Sequence, residues 1–208
     1  GGSTGTNQTT VDKFAFSNDS RSTLGTGLSS ARSRLAGLSS SSAGYAAGGL
    51  AAGNVDTVDK FAFSDDSRST LATGLSSARR HLSGFSSSSA GYAAGGFDTG
   101  YLTGVDKFAF SNDSRSTLAT GLSVAVVGST GFGSSTAGYV AGGIDATSTL
   151  QTTVNKFAFS NDSRSTLATG LSSARTDLGA FASSTAGYAA GGFEAGNTPV
   201  PTVNKFAF

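Results

Sequence analysis

Apolar and polar positions alternate in the stretch TVDKFAFS at Thr10–Ser17. Phe14 and Phe16 fall on one side of an extended strand, with Val11, Lys13 and Ala15 on the other. A polar turn, SNDSRS, follows. A second strand is predicted at Thr23–Leu28 (TLGTGL), and a third at Arg34–Ser42, where Leu35 and Leu38 are apolar. A fourth lies at Ala43–Leu50, where small residues surround Tyr45. No segment sustains the helical period long enough to make a helix. The pattern predicts an all-β chain with four short strands per unit.

The unit recurs. Val11, Val58, Val105, Val154 and Val203 begin the same phrase at spacings of 47, 47, 49 and 49. These mark units at 11–57, 58–104, 105–153 and 154–202 and a partial fifth at 203–208, all within one repeat domain spanning 1–208. Four strands at a period of about 45 residues predict the blades of a β-propeller; a β-solenoid would use shorter coils. Packed blades bury both sheet faces, which accounts for small residues such as Ala46, Ala47, Gly48 and Gly49. The spare VNKFAF at Val203–Phe208 leads to the expectation of an incomplete segment of a larger propeller.

Composition narrows the chemistry. A net charge of +1 with 13% charged residues offers no field to nucleic acid or an anionic membrane. Fifteen Phe at regular places argue against disorder. There is no Cys, no apolar run of membrane length and no signal peptide, so an extracellular, virion or bacterial cytoplasmic setting is equally open. The absence of Met leads to the expectation of a fragment or processed form. The chain has one His, His81, read as a surface substitution, and one adjacent carboxylate pair, Asp65–Asp66, read as a hydrated turn. Neither a metal site nor a serine triad can be assembled from these, so no enzyme activity, cofactor or metal is expected.

The order of Gly-Gly doublet, loop, VDKFAF, turn, TL, SSAR and GYxxGG resembles the kelch repeat. The doublets are Gly48–Gly49, Gly95–Gly96, Gly142–Gly143 and Gly191–Gly192. The kelch arginine is matched by Arg32, Arg79 and Arg175, with Val126 in the third unit; Leu24, Leu71, Leu118 and Leu167 replace the kelch Trp. The resemblance implies four-stranded kelch-like blades, degenerate and Gly/Ser-rich, of a kind met in bacterial and phage proteins. The turn phrase also resembles the Asp-box of sialidase-type propellers, with Arg21 and Leu24 departing from it. Asp19, Asp66, Asp113 and Asp162 recur in that turn and are read as closing it through local backbone amides. The arginines have two readings: local pairing with Asp12, Asp59 or Asp106, or a cluster open to a carboxylate ligand.

The units differ most in the loops after the doublets: LAAGNVDT, FDTGYLTG, IDATSTLQTT and FEAGNTPVPT. Variable loops on a rigid scaffold are a binding design. The candidate partner-binding residues are Asp98, Tyr101, Leu102, Asp145 and Glu194, with Arg79 and Arg175 beside them. The expected function is a non-catalytic protein-interaction or structural assembly module with a protein partner. The alternative is a lectin-like propeller that binds a glycan on a cell surface or virion.

Overall fold

A computed structural model describes residues 1–208. It is all-β apart from one short 3-10 turn at Ala195–Asn197. Four antiparallel sheets stand in a ring and form a four-blade β-propeller. Blade one is built, from the axis outward, of Ala36–Ser39, Ala43–Ala47, Val58–Ala62 and Arg68–Thr70. Blade two is Ser83–Ser86, Ala90–Ala94, Val105–Ala109 and Arg115–Thr117, and blade three is Thr130–Gly133, Ala137–Ala141, Val154–Ala158 and Arg164–Thr166. Blade four has three strands, Gly179–Ala182, Ala186–Ala190 and Val203–Ala207. A separate N-terminal hairpin pairs Asp12–Ala15 with Ser20–Thr23. No helix is long and apolar enough to cross a membrane.

The repeated phrase is the third strand, and its partner is the GYAA strand in constant register: Tyr45 faces Lys60, Tyr92 faces Lys107 and Tyr139 faces Lys156. The register places each ammonium over a tyrosine ring, at 5.5, 5.6 and 5.9 Å from the centroid. The doublet then turns the chain off the sheet. Gly48 has φ 65°, and a Cβ there would stand 2.7 Å from the Arg79 carbonyl of the next blade. That is a left-handed turn and a close approach that only Gly meets.

The cores lie between blades. One cluster joins Leu38 and Tyr45 of blade one to Ala93 and Phe108 of blade two. The next joins Phe85 and Tyr92 to Val140 and Phe157, and the third joins Phe132 and Tyr139 to Ala189. The third-strand phenylalanines are therefore interblade residues: Phe108 and Phe157 are 1% and 0% exposed.

Two expectations are corrected. The outer strand is not TLGTGL but the segment before it, Ser20–Thr23 in the hairpin and Arg68–Thr70, Arg115–Thr117 and Arg164–Thr166 in the blades. The turn aspartates do not close their own turn. Asn18, Asp65, Asn112 and Asn161 do so, each accepting the N–H two residues on at 3.0–3.1 Å. The following aspartates adopt left-handed φ of 53–58° and three of them reach the preceding unit. Asp113 accepts from the Tyr45 hydroxyl at 2.9 Å and Lys60 at 2.7 Å, Asp162 does the same with Tyr92 and Lys107, and Asp66 takes Lys13 at 2.8 Å.

Candidate functional site

The post-doublet loops and the SSAR connections gather at one end of the blades, the end opposite the third-strand turns. Between blades three and four they enclose a groove of about 670 Å³. Ile144, Leu150 and Phe193 give it an apolar floor, Ser148, Ser173, Thr176 and Thr198 add hydroxyls, and Glu194 is its one charged residue. A short pairing of Phe193–Glu194 with Thr198–Pro199 stiffens one wall. In the blade-three loop, which gives the groove Ile144, Ser148 and Leu150, Asp145 itself does not line the groove; it accepts from the Thr147 and Thr149 N–H groups at 2.9 and 3.0 Å and from Gln151 at 2.9 Å. These neutral donors hold its carboxyl below the ordinary range, the Thr147 hydroxyl first. Asp145 therefore shapes the loop, whereas Glu194 makes no side-chain hydrogen bond within the protein and acts on Arg175 only through its charge.

The blade-two loop stands apart from that groove. Asp98 accepts from the Gly100 N–H at 2.9 Å and so closes its own turn. Tyr101 is half-buried, edge-on to Phe97 with centroids 5.6 Å apart, and Leu102 is half-buried beside it. The Arg80 guanidinium lies over the Phe97 ring at 4.7 Å and donates to Asn54 at 2.8 Å. Asn54 in turn donates to the Phe97 and Asp98 carbonyls, linking the first two loops. Sequence reading missed this lattice because its members lie in different repeats.

Arg79 and Arg175 are not on that surface. Arg79 is 1% exposed and Arg175 0%. Arg79 donates to the Ala93 carbonyl at 3.1 Å and to Asp106 at 3.0 Å, and Arg32 pairs with Asp59 at 3.0 Å with both side chains fully buried. Burial opposes the Asp59 charge, but the Ser29 N–H and hydroxyl, the Thr70 hydroxyl and Arg32 outweigh it and hold the carboxyl below its ordinary value. Of the two readings of these arginines, local pairing is the one realised at Arg32 and Arg79.

A second concavity, about 280 Å³, lies at the axis, where the approaches to all four inner strands meet. Arg34, His81, Gly128 and Asp177 line it from the same place in four repeats, all with left-handed φ of 56–65°. The His81 N–H donates to the Arg34 carbonyl at 2.9 Å and the Asp177 N–H to that of Gly128 at 2.7 Å. Burial, then the Arg34 charge, lowers the His81 pKa, while Asp177 works in the opposite direction. His81 is thus an axial residue, not an incidental surface substitution. Aligning the four repeats was the signal that could have found it, since this position carries four different side chains.

No family model matches the chain, and no curated protein matches it either.

Proposed function

We propose that the protein is a non-catalytic interaction module, an assembly scaffold on a kelch-like propeller, which holds a protein segment in the groove between its third and fourth loops. One observation carries the reading: the two most divergent long loops form one groove with an apolar floor and a single unpaired carboxylate. Such a groove suits an extended segment that offers an apolar anchor and a basic side chain. The kelch-like assignment draws support from the doublets, whose second Gly donates its N–H to the next blade at the arginine position. Gly49 reaches the Arg79 carbonyl and Gly143 that of Arg175, both at 2.9 Å.

The glycan alternative asks for one aromatic platform per blade. Tyr45, Tyr92 and Tyr139 are 4%, 1% and 5% exposed and spend their faces on neighbouring rings, which favours a protein partner. The test is capture from a native extract, with the captured protein identified and its affinity measured. Leu150→Ala with Glu194→Lys should weaken binding by at least about 1 kcal/mol, or five-fold. Asn112→Ala with Asn161→Ala, at the opposite end of the blades, should leave it unchanged. Loss in the turn variant alone, or a sugar that competes for the groove, would sink the proposal.

A further inference from the structure

One backbone turn recurs at the entry to every inner strand, and the four repeats fill it with four different residues. Arg34, His81, Gly128 and Asp177 hold it at φ of 60°, 57°, 65° and 56°. Gly128 shows what the turn alone asks for, since a left-handed residue needs no side chain. Asp and His tolerate the conformation, and Arg less well, yet the other three repeats place an ionisable group there. Backbone strain kept where Gly would serve calls for a use of the side chain.

All four positions line the concavity of about 280 Å³ at the axis. The inner strands close it from below, backbone on backbone: a Cβ on Gly84 would overlap the Gly37 carbonyl, and one on Gly131 the Gly84 carbonyl. The residue after each turn also lines this cup, and three of the four are leucines, Leu35, Leu82 and Leu178. The fourth is Ser129, already bonded to Ser83 at 2.7 Å. Blade three leaves a gap at Gly128, and the Asp177 carboxylate turns toward it: a Cβ on Gly128 would stand 3.0 Å from the Asp177 Oδ1.

The charges around the cup are not spent on each other. Other opposite charges pair within the protein, as Arg32 with Asp59, Arg79 with Asp106, Lys60 with Asp113 and Lys107 with Asp162. Arg34 and Asp177 lead into blades one and four, line one cup and form no ion pair. Both are exposed, so each charge keeps its water until a ligand replaces it. Burial and the Arg34 charge lower the His81 pKa, so at neutral pH the imidazole is uncharged and adds a hydrogen-bonding group, not a third charge. The cup thus holds one cation, one anion and no net charge. A simple anion meets Asp177 unfavourably there, and a simple cation meets Arg34.

We propose that the axial cup is a binding site for a small zwitterion of the amino-acid class with an apolar side chain. The Arg34 guanidinium takes the α-carboxylate, Asp177 takes the α-ammonium, the His81 imidazole adds a hydrogen bond and the leucines receive the apolar side chain. The volume lies at the small end of ligand pockets, which run from about 300 Å³ upward, so the ligand is a small one. The site shares no residue with the loop groove and does not rest on what that groove holds.

The test uses the full chain, with its single His as the reporter. L-Leucine is titrated first and the other apolar L-amino acids after it, and binding is followed by calorimetry and by the one imidazole signal in proton NMR. At least one of them should bind at millimolar concentration or below and shift the His81 signal. The deaminated and decarboxylated counterparts, isocaproate and isopentylamine for leucine, should each bind about ten-fold more weakly, the loss expected when one charged hydrogen bond goes. Arg34→Gln and Asp177→Asn should each weaken the amino acid by a similar factor. Both variants should unfold at the parent temperature, because neither side chain makes an ion pair within the protein. No amino-acid binding at millimolar concentration would overturn the proposal. So would binding that leaves the His81 signal in place, a carboxylate that binds as tightly as its amino acid, or affinity indifferent to both substitutions.

Discussion

Asp113 illustrates how one residue type at one repeat position can be read correctly as a turn residue and wrongly as a cap. Its left-handed φ of 57° fits a turn, and Asp tolerates that conformation better than most residues. Its carboxylate, however, serves the interface: it receives the Tyr45 hydroxyl and the Lys60 ammonium from the preceding blade. Asn112, one residue earlier, is the local cap. Asp113→Ala should therefore cost about 1–3 kcal/mol, the range for leaving a partly buried donor unpaired. Its effect should be non-additive with Tyr45→Phe, because the two groups share one bond. Asn112→Ala should cost about 1 kcal/mol and add independently to Tyr45→Phe. Urea unfolding of the single and double variants measures both couplings. Additive costs for Asp113→Ala and Tyr45→Phe would return Asp113 to a purely local role.

At the scale of the element, the third strand was legible and the outer strand was not. The third strand alternates Phe with small and polar residues because it lies between two blades. The outer strand, SRST, is polar on both faces because it lies at the solvent-facing rim, with the burial of Arg68–Thr70 falling from partial to none. A hydrophobic pattern carries no signal for such a strand, which reads as part of a turn. The repeat pattern did offer Asp59 and Asp106 as arginine partners, and Arg32 and Arg79 take them; what failed was placing Arg79 and Arg175 beside the variable loops, because a contact across 27 residues, as from Arg79 to Asp106, does not tell from spacing alone that the side chain is buried. The variable loops were legible as a candidate face because the repeats differ there, but only the folded chain brings the third and fourth together in one groove and leaves the second apart. Internal comparison of blades supplies a prediction for the ion pair. Removing one partner, as in Asp106→Ala, leaves a buried guanidinium uncompensated and should cost about 3–5 kcal/mol. Arg79→Val with Asp106→Asn reproduces the combination that blade three already carries at Val126 and Asn155. The double variant should be more stable than Asp106→Ala alone. Thermal unfolding of the three proteins decides it, and a double variant weaker than the single would mean that the surroundings of blade three, not the pairing rule, make its neutral version tolerable.

For the whole molecule, the location of the cores dictates how the ring responds to damage. Each hydrophobic cluster is shared by two blades, so a blade on its own has an exposed sheet face and no core, and stability resides in nearest-neighbour interfaces. The tightest packing is between blades two and three, where Phe85 stacks on Tyr92 at 4.9 Å and on Phe157 at 5.6 Å, with its ring pressed against the bare backbone of Gly138. A Cβ at Gly138 would overlap that ring. Blades one and two solve the same contact with a smaller side chain: Leu38 lies over Gly91, where an added Cβ would find Leu38 at 3.0 Å. Phe85→Ala should cost about 3–5 kcal/mol, as for other fully buried rings. It should shift unfolding of the whole ring, so that far-ultraviolet circular dichroism and tyrosine fluorescence report one common transition. Gly138→Ala should cost about 1–3 kcal/mol through overpacking, and Phe85→Leu in the same chain should recover part of that loss, because a Leu leaves room for the methyl group as it nearly does in blade one. The coupling is read as the departure from additivity in a double-variant cycle. If the two costs add, the Phe85 ring has room to move away from Gly138, and interblade packing is looser than a ring held together by its interfaces requires.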